Sequence, residues 1–280
     1  MKRDNVEFPD CWEEVQTLEW TYLLGLHAVL MHNSHRVYLE SLLRAWTLYV
    51  LERRGYKTNG GVDDMLLVDR LSQTLTWMYR INQQGEIELT CETTVNLLPK
   101  YRQLVGPASH GADLTFGEFR HAVTVMNAYT TDHDPASLLA LCAILYRLPF
   151  KDRDGSMRRG RFREYRFAKF IQDAEQIPPA LRYGIYVQFA YFCQYLQTGS
   201  FVIDGAEVTF APLFAKSTGE QMSGVQDLGL TGILLSVAES GVFGNVGDTD
   251  DAPLLQVMLK MLADKQKADL LLKNLKQKSK

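Results

Sequence analysis

Nine basic residues crowd one short stretch of the chain: Arg147, Lys151, Arg153, Arg158, Arg159, Arg161, Arg163, Arg166 and Lys169. Only Asp152, Asp154 and Glu164 oppose them, a local balance of +6. Arg158, Arg161 and Arg166 interleave with Phe162, Tyr165 and Phe167. Guanidinium groups set among rings can fork onto phosphate oxygens and stack on bases, and the same pattern can dock an acidic protein surface. The simpler alternative is that these arginines pair with carboxylates of their own chain or of a neighbouring copy. Arg153, Arg158, Arg159, Arg161, Arg163, Arg166 and Lys169 are the residues expected to meet a partner or phosphate. Contact with phosphate would make affinity fall steeply with salt, because each contact releases counterions.

A second cationic piece closes the chain, where seven lysines stand against two aspartates between Pro253 and Lys280. Leu254, Met258, Met261, Ala268, Leu272 and Leu275 recur at steps of three and four, with Lys265 the break in a heptad frame. Leu254, Met258, Met261, Leu272 and Leu275 are therefore expected to face a partner helix, the alternative being the chain's own core. The stripe lacks the aromatic anchors of a membrane-surface helix. Set against a net charge of −3, these two basic pieces leave −14 on the remainder. The whole molecule is not a polycationic nucleic-acid coat; any such binding must be local.

Other groupings carry less chemistry. His27, His32 and His35 are close in sequence, but Asn33-Ser34 reads as a junction between helices and no nearby carboxylate or cysteine completes a metal set. Asp132-His133-Asp134 and Asp248-Thr249-Asp250-Asp251 each precede a helix, where aspartate caps free amides. Gly241, Gly244 and Gly247 follow a helix rather than a strand and lack the dinucleotide spacing. Cys11, Cys91, Cys142 and Cys193 have no short paired spacing and read as reduced core residues. No phosphate loop, nucleophile elbow or zinc-protease helix is present. The residues thus point to a non-enzymatic protein without metal or cofactor, although a catalytic site assembled from distant residues would leave no such signature.

The elements that must position these residues are mostly helices. Of 280 residues, 46% are hydrophobic and 11% aromatic, ample for a core. Apolar residues at helical spacing predict helices from Trp12 to Met31, from an N-cap at Ser34 to Gly55, and from Asp63 or Asp64 to about Gly85. Alternation over Glu86-Ile87-Glu88-Leu89-Thr90 predicts a short strand. Thr115-Phe116-Gly117-Glu118 has the capping-box spacing, and Asp134-Pro135 is a second helix start. Residues 149–160 read as a polar loop, followed by a helix from about Phe162 to Gln176. Pro178-Pro179 opens an aromatic helix carrying Tyr183, Tyr186, Phe189, Tyr191, Phe192 and Tyr195. Two short apolar runs about Asp204-Gly205 predict a hairpin near residues 201–210. Leu230 to Ser240 reads as a short helix, and Asp251 with Pro253 opens the last one.

The fold class expected is mainly α, a multi-helix globular protein with a minor β-hairpin. Residues 1–85 would form a three-helix region, 86–114 a linker with a short strand, and 115–280 a larger helical body ending in the basic helix. Neither a secretory signal nor a membrane-spanning run is evident.

The centre of the chain resembles a family of uncharacterised helical proteins encoded among the structural and tail-assembly genes of phages and phage-like elements. Asn96-Leu97-Leu98-Pro99, Gly106-Pro107, Leu114-Thr115-Phe116-Gly117-Glu118-Phe119 and Leu139-Ala140-Leu141-Cys142-Ala143-Ile144-Leu145-Tyr146-Arg147 carry the resemblance, which covers roughly residues 95–215. It implies a structural or assembly protein acting through protein surfaces, with its own copies or a tail or capsid component as the protein partner, in the cytoplasm of a bacterial host or in a virion. Nucleic-acid binding through residues 147–169 and the lysine-rich C-terminal helix is the alternative.

Overall fold

The Thr115 hydroxyl accepts a hydrogen bond from the Glu118 amide at 3.2 Å, and the Glu118 carboxylate accepts one from the Thr115 amide at 3.3 Å. This capping box satisfies two amides that a helix start would otherwise leave open, and α4 (Phe116–Asp132) begins there. The Asp134 carboxylate caps α5 (Pro135–Leu145) in the same way, accepting from the Ala136 amide at 2.9 Å. In this computed structural model residues 7–30, 36–83, 85, 87–152, 154–214 and 229–278 are described. Ser34, His32, His35, Arg153 and Lys280, singled out above, lie outside them.

Eleven α-helices and four two-stranded antiparallel hairpins make up the described residues, so the fold is mainly α. The N-terminal helices are α1 (Thr17–Leu30), α2 (Arg36–Arg53) and α3 (Val62–Ser72). The third is shorter than its periodicity predicts. After Ser72 the chain makes one 3-10 turn and enters β1 (Tyr79–Ile81), which pairs with β2 (Ile87–Leu89). Tyr79 and Ile81 are aromatic and branched and suit a pleated surface, and the Thr90 amide and hydroxyl donate to the Met78 and Trp77 carbonyls, so tertiary pairing overrides the helical spacing there. Minimal strands β3 (Lys100–Tyr101) and β4 (Leu104–Val105) follow.

Beyond α5, the stretch read as a polar loop is the hairpin β5 (Pro149–Lys151) and β6 (Met157–Arg159). Helix α6 starts later than expected, at Phe167–Ala174, after a 3-10 turn over Glu164–Arg166. Then come α7 (Pro179–Thr198), β7 (Ser200–Ile203) and β8 (Ala206–Thr209). The hairpin read from Asp204-Gly205 is present, with both residues left-handed at φ 50° and 80°, the geometry a tight two-residue turn demands. Short helices α8 (Ala211–Phe214), α9 (Gly229–Glu239) and α10 (Val246–Asp251) lead to α11 (Leu254–Lys278).

Helix α5 is the hub. Leu141 to Tyr146 are all buried, and α5 packs on α4, α6 and α7. Of the residues quoted for the resemblance, Leu97, Leu98, Gly106, Leu114, residues 116–119 and residues 141–147 are buried, whereas Pro99 is exposed. Segment 86–114 also contributes to this core, through Leu89, Cys91, Leu97, Leu98, Leu104 and Leu114, within one buried cluster reaching from Trp12 to Leu262. The N-terminal helices join it where α1 packs on α7. Gly184 makes that crossing close: a Cβ there would stand 2.3 Å from Leu24 Cδ1. Gly184→Ala should therefore destabilise the fold by about 1–3 kcal/mol in urea unfolding, although alanine is the better helix former. A neutral or stabilising result would show that the crossing is loosely packed.

Candidate functional site

The basic segment is organised around a buried carboxylate. Glu118, placed by the capping box at the start of α4, receives Arg147 Nη2 on one oxygen and Arg159 Nη2, at 2.9 Å, on the other. Arg159 also donates to Asp113 Oδ2 and to the Asp113 carbonyl, both at 3.1 Å, and to the Leu145 carbonyl at 3.1 Å. Arg147 Nε donates to the Gly160 carbonyl at 2.5 Å, and its guanidinium lies 5.8 and 6.0 Å from the ring centres of Phe162 and Phe170. Two guanidinium groups and two carboxylates balance to zero. Burial pulls Arg147 below its ordinary value, Glu118 opposes that, and the like charge of Arg159 adds to it. Burial pulls on Arg159 as well, but Glu118 and Asp113 outweigh it and hold that guanidinium above its ordinary value.

Arg159 is therefore an internal ion-pair residue and not an outward grip. The alternative weighed from the sequence, pairing within the chain, holds for most of its neighbours. Arg163 forms a two-pronged pair with Asp251, at 2.8 Å for Nη2 to Oδ2, tying the segment to α10. Arg158 is exposed but lies 3.0 Å from Asp152 and 3.3 Å from Asp154. Lys169 pairs with Asp173 at 2.9 Å across one helical turn. Such exposed pairs contribute about 0–1 kcal/mol each, so they steer side chains more than they stabilise. Arg161 and Arg166 remain exposed without an ion-pair partner among the described residues, beside Tyr165 at 85% exposure. Arg166 rests over the Phe170 ring at 5.8 Å.

Helix α11 divides into two halves. Leu254, Val257, Met258 and Leu262 are buried, and Met261 is half-buried, so Leu254 and Met258 serve the chain's own core rather than a partner. Leu270, Leu271, Leu272 and Leu275 are 55–64% exposed. Lys260 is neutralised by Asp264 one turn on, whereas residues 265–280 hold six lysines and a single aspartate.

Sequence reasoning missed a cleft of about 610 Å³ between α7, the end of α4 and the β1–β2 hairpin. Its aromatic wall is continuous. His27 stacks on Tyr183 with centres 5.2 Å apart, Tyr183 meets Tyr186 at 6.0 Å, Tyr186 meets Tyr129 at 4.7 Å, and Tyr129 meets His133 at 5.6 Å. His27 is buried, and neither ring nitrogen has a hydrogen-bond partner among the described residues. Burial pushes its imidazole down to about 4 and the Tyr183 phenol up to about 12, so both are uncharged at neutral pH. The signal was present in α7: Leu181, Ile185, Phe189, Phe192 and Leu196 are buried, while Tyr183, Tyr186 and Tyr191 line the cleft. Phenylalanine and tyrosine thus segregate at helical spacing.

No helix among the described residues is long and apolar enough to cross a membrane. Compared with models of known families, with curated proteins and with solved structures, the chain matches none.

Proposed function

We propose that this chain is a non-enzymatic assembly subunit, of the kind the resemblance to phage and phage-like particle proteins implies, and that it joins a second copy of itself through the outer half of α11. The observation that carries this reading is the helix that leaves its own core and continues with four exposed leucines. Charge favours a second copy as the occupant. Residues 265–280 carry +5, and taking that from the chain's −3 leaves −8 on the body. The body also offers an apolar stripe on α3, where Val62, Met65 and Leu66 are exposed, flanked by Asp63 and by an Asp69 that is paired with Arg44 at 2.5 Å. A helix end seated on the α3 face of the next copy is a head-to-tail contact, which closes into a ring or grows into a filament. Burying four half-exposed leucines supplies about 4 kcal/mol, enough for a weak contact that repetition would strengthen.

Light scattering coupled to gel filtration tests this directly. The full chain should show a mass that rises with concentration and falls with salt. Leu270→Glu, Leu271→Glu and Leu275→Glu combined, or Met65→Asp alone, should leave a monomer of unchanged helix content. A concentration-independent monomer, or an assembly indifferent to both variants, would remove the basis of this reading.

The alternative, nucleic-acid binding, draws on exposed Arg161, Arg166 and Tyr165 together with the lysine-rich helix end. A gel shift that weakens with salt and is lost on converting Arg161 and Arg166 to glutamate would favour it over self-assembly.

A further inference from the structure

We propose that the tyrosine-walled cleft is a binding site for a small quaternary ammonium compound, a site independent of the assembly contact on α11. The volume suits a ligand of that size, since small-molecule sites span about 300–1,000 Å³. Three features of the wall select a cation. Ring faces are electron-rich, and Tyr129, Tyr183 and Tyr186 line the cleft as one connected array. The last turn of α4, with Tyr129 and Thr130 in the lining, brings the negative end of a 17-residue helix to the cleft. The lining charges sum to a negative value. Arg80 is consumed by Glu88 at 2.7 Å, and Asn82 donates to the same carboxylate at 3.1 Å. Glu92 also lines the cleft and has no ion-pair partner among the described residues.

The buried floor argues for methylated nitrogen rather than a primary ammonium. A primary ammonium needs three acceptors, whereas a trimethylammonium group needs only ring faces and a carboxylate at a distance. His27 extends the wall without adding positive charge. An anion has no free guanidinium to meet, because Arg80 is already paired.

Isothermal titration of the full chain with choline, against its uncharged isostere 3,3-dimethylbutan-1-ol, decides the matter. Choline should bind saturably and at least about tenfold more tightly than the isostere, which corresponds to about 1.4 kcal/mol. Glu92→Gln, at an exposed position, should weaken choline about three- to tenfold, and Tyr186→Leu by tenfold or more. Circular dichroism establishes that Tyr186→Leu is folded; if it is not, Glu92→Gln carries the test alone. No saturable choline binding up to about 10 mM, equal binding of the isostere, or choline affinity unchanged in the folded variants would overturn the proposal.

Discussion

Glu118→Gln should lower stability by about 3–5 kcal/mol, roughly 10 °C in melting temperature, more than a surface substitution on the same helix could. Glu118 pairs with two guanidinium groups at once and closes the capping box. Glutamine can still return the cap hydrogen bond through its one oxygen, but its NH2 group then faces Arg147 Nη2, so the loss combines the missing charge with a donor set against a donor. Arg147 and Arg159 would be left facing one another with Asp113 as the sole counter-charge. Thr115→Ala, which removes only the hydroxyl half of the cap, should cost about 1 kcal/mol. Replacing Arg147 by Met in the Glu118→Gln background restores electrical balance around Arg159 and Asp113. It should recover part of the loss, a coupling that a double-mutant cycle measures. Urea unfolding of the parent, Glu118→Gln, Arg147→Met, their double variant and Thr115→Ala gives the answer. Equal costs for Glu118→Gln and Thr115→Ala would mean that the buried charges are not acting as a unit.

Acid should destabilise the protein before its carboxylates titrate. His27 has an imidazole held at about 4 in the folded chain, below the ordinary 6.5 that the unfolded chain regains. Between those values the unfolded chain binds the proton and the folded chain does not, so unfolding takes up protons and stability falls as pH falls. The slope approaches about 1.4 kcal/mol per pH unit, and the full loss is about 3 kcal/mol by pH 4. His121, also lowered by burial and by the charge of Arg120, adds in the same direction. Asp64 and Glu88 are held below their ordinary values, Asp64 chiefly by the Asn59 amide and Glu88 by Arg80. Their contribution is present above the ordinary carboxylate range and is lost only at lower pH. The window from pH 6.5 to about 5 therefore belongs to histidine. His27→Phe keeps a ring against Tyr183 and removes the titration. Its stability should fall less steeply across that window, with the slope that remains belonging to His121, and be at least equal to the parent at pH 7, because two unpartnered nitrogens are gone. A parent whose denaturation midpoint does not move between pH 6.5 and 5 would contradict this account.

Much of the architecture was legible because it rests on local chemistry. Thr115 with Glu118, Asp134 with Pro135, and Asp204 with Gly205 each solve a backbone problem within a few residues, and each sits in the structure where the spacing placed it. The misreading of residues 149–160 has an equally local cause. Asp154-Gly155 is a turn signal of the same kind, with Gly155 at φ 84°, but Lys151, Arg158 and Arg159 beside it read as solvated charge. One face of that hairpin turns Arg159 inward to Glu118, a residue 41 positions earlier. A carboxylate that distant leaves no trace in the spacing of the arginines. The partition of α11 between Leu254 and Leu275 was equally hidden, since a heptad stripe is the same whether it meets its own core or nothing. The cleft escaped notice because it is assembled from α1, α4, α7 and a hairpin, although tyrosines separated from phenylalanines along α7 announce one of its walls.

The exposed end of α11 inherits its shape from the turns behind it. Starting a helix is the costly step, and here Leu254 to Leu262, fixed in the protein interior, supply the nucleus free of charge to everything downstream. The outer turns then need only propagation, one backbone bond per residue, so fraying is expected to run from the tip inward and to reach Leu275 before Leu270. A partner seated on this spur would lengthen it on binding, and the number of turns recruited would set how firmly it held.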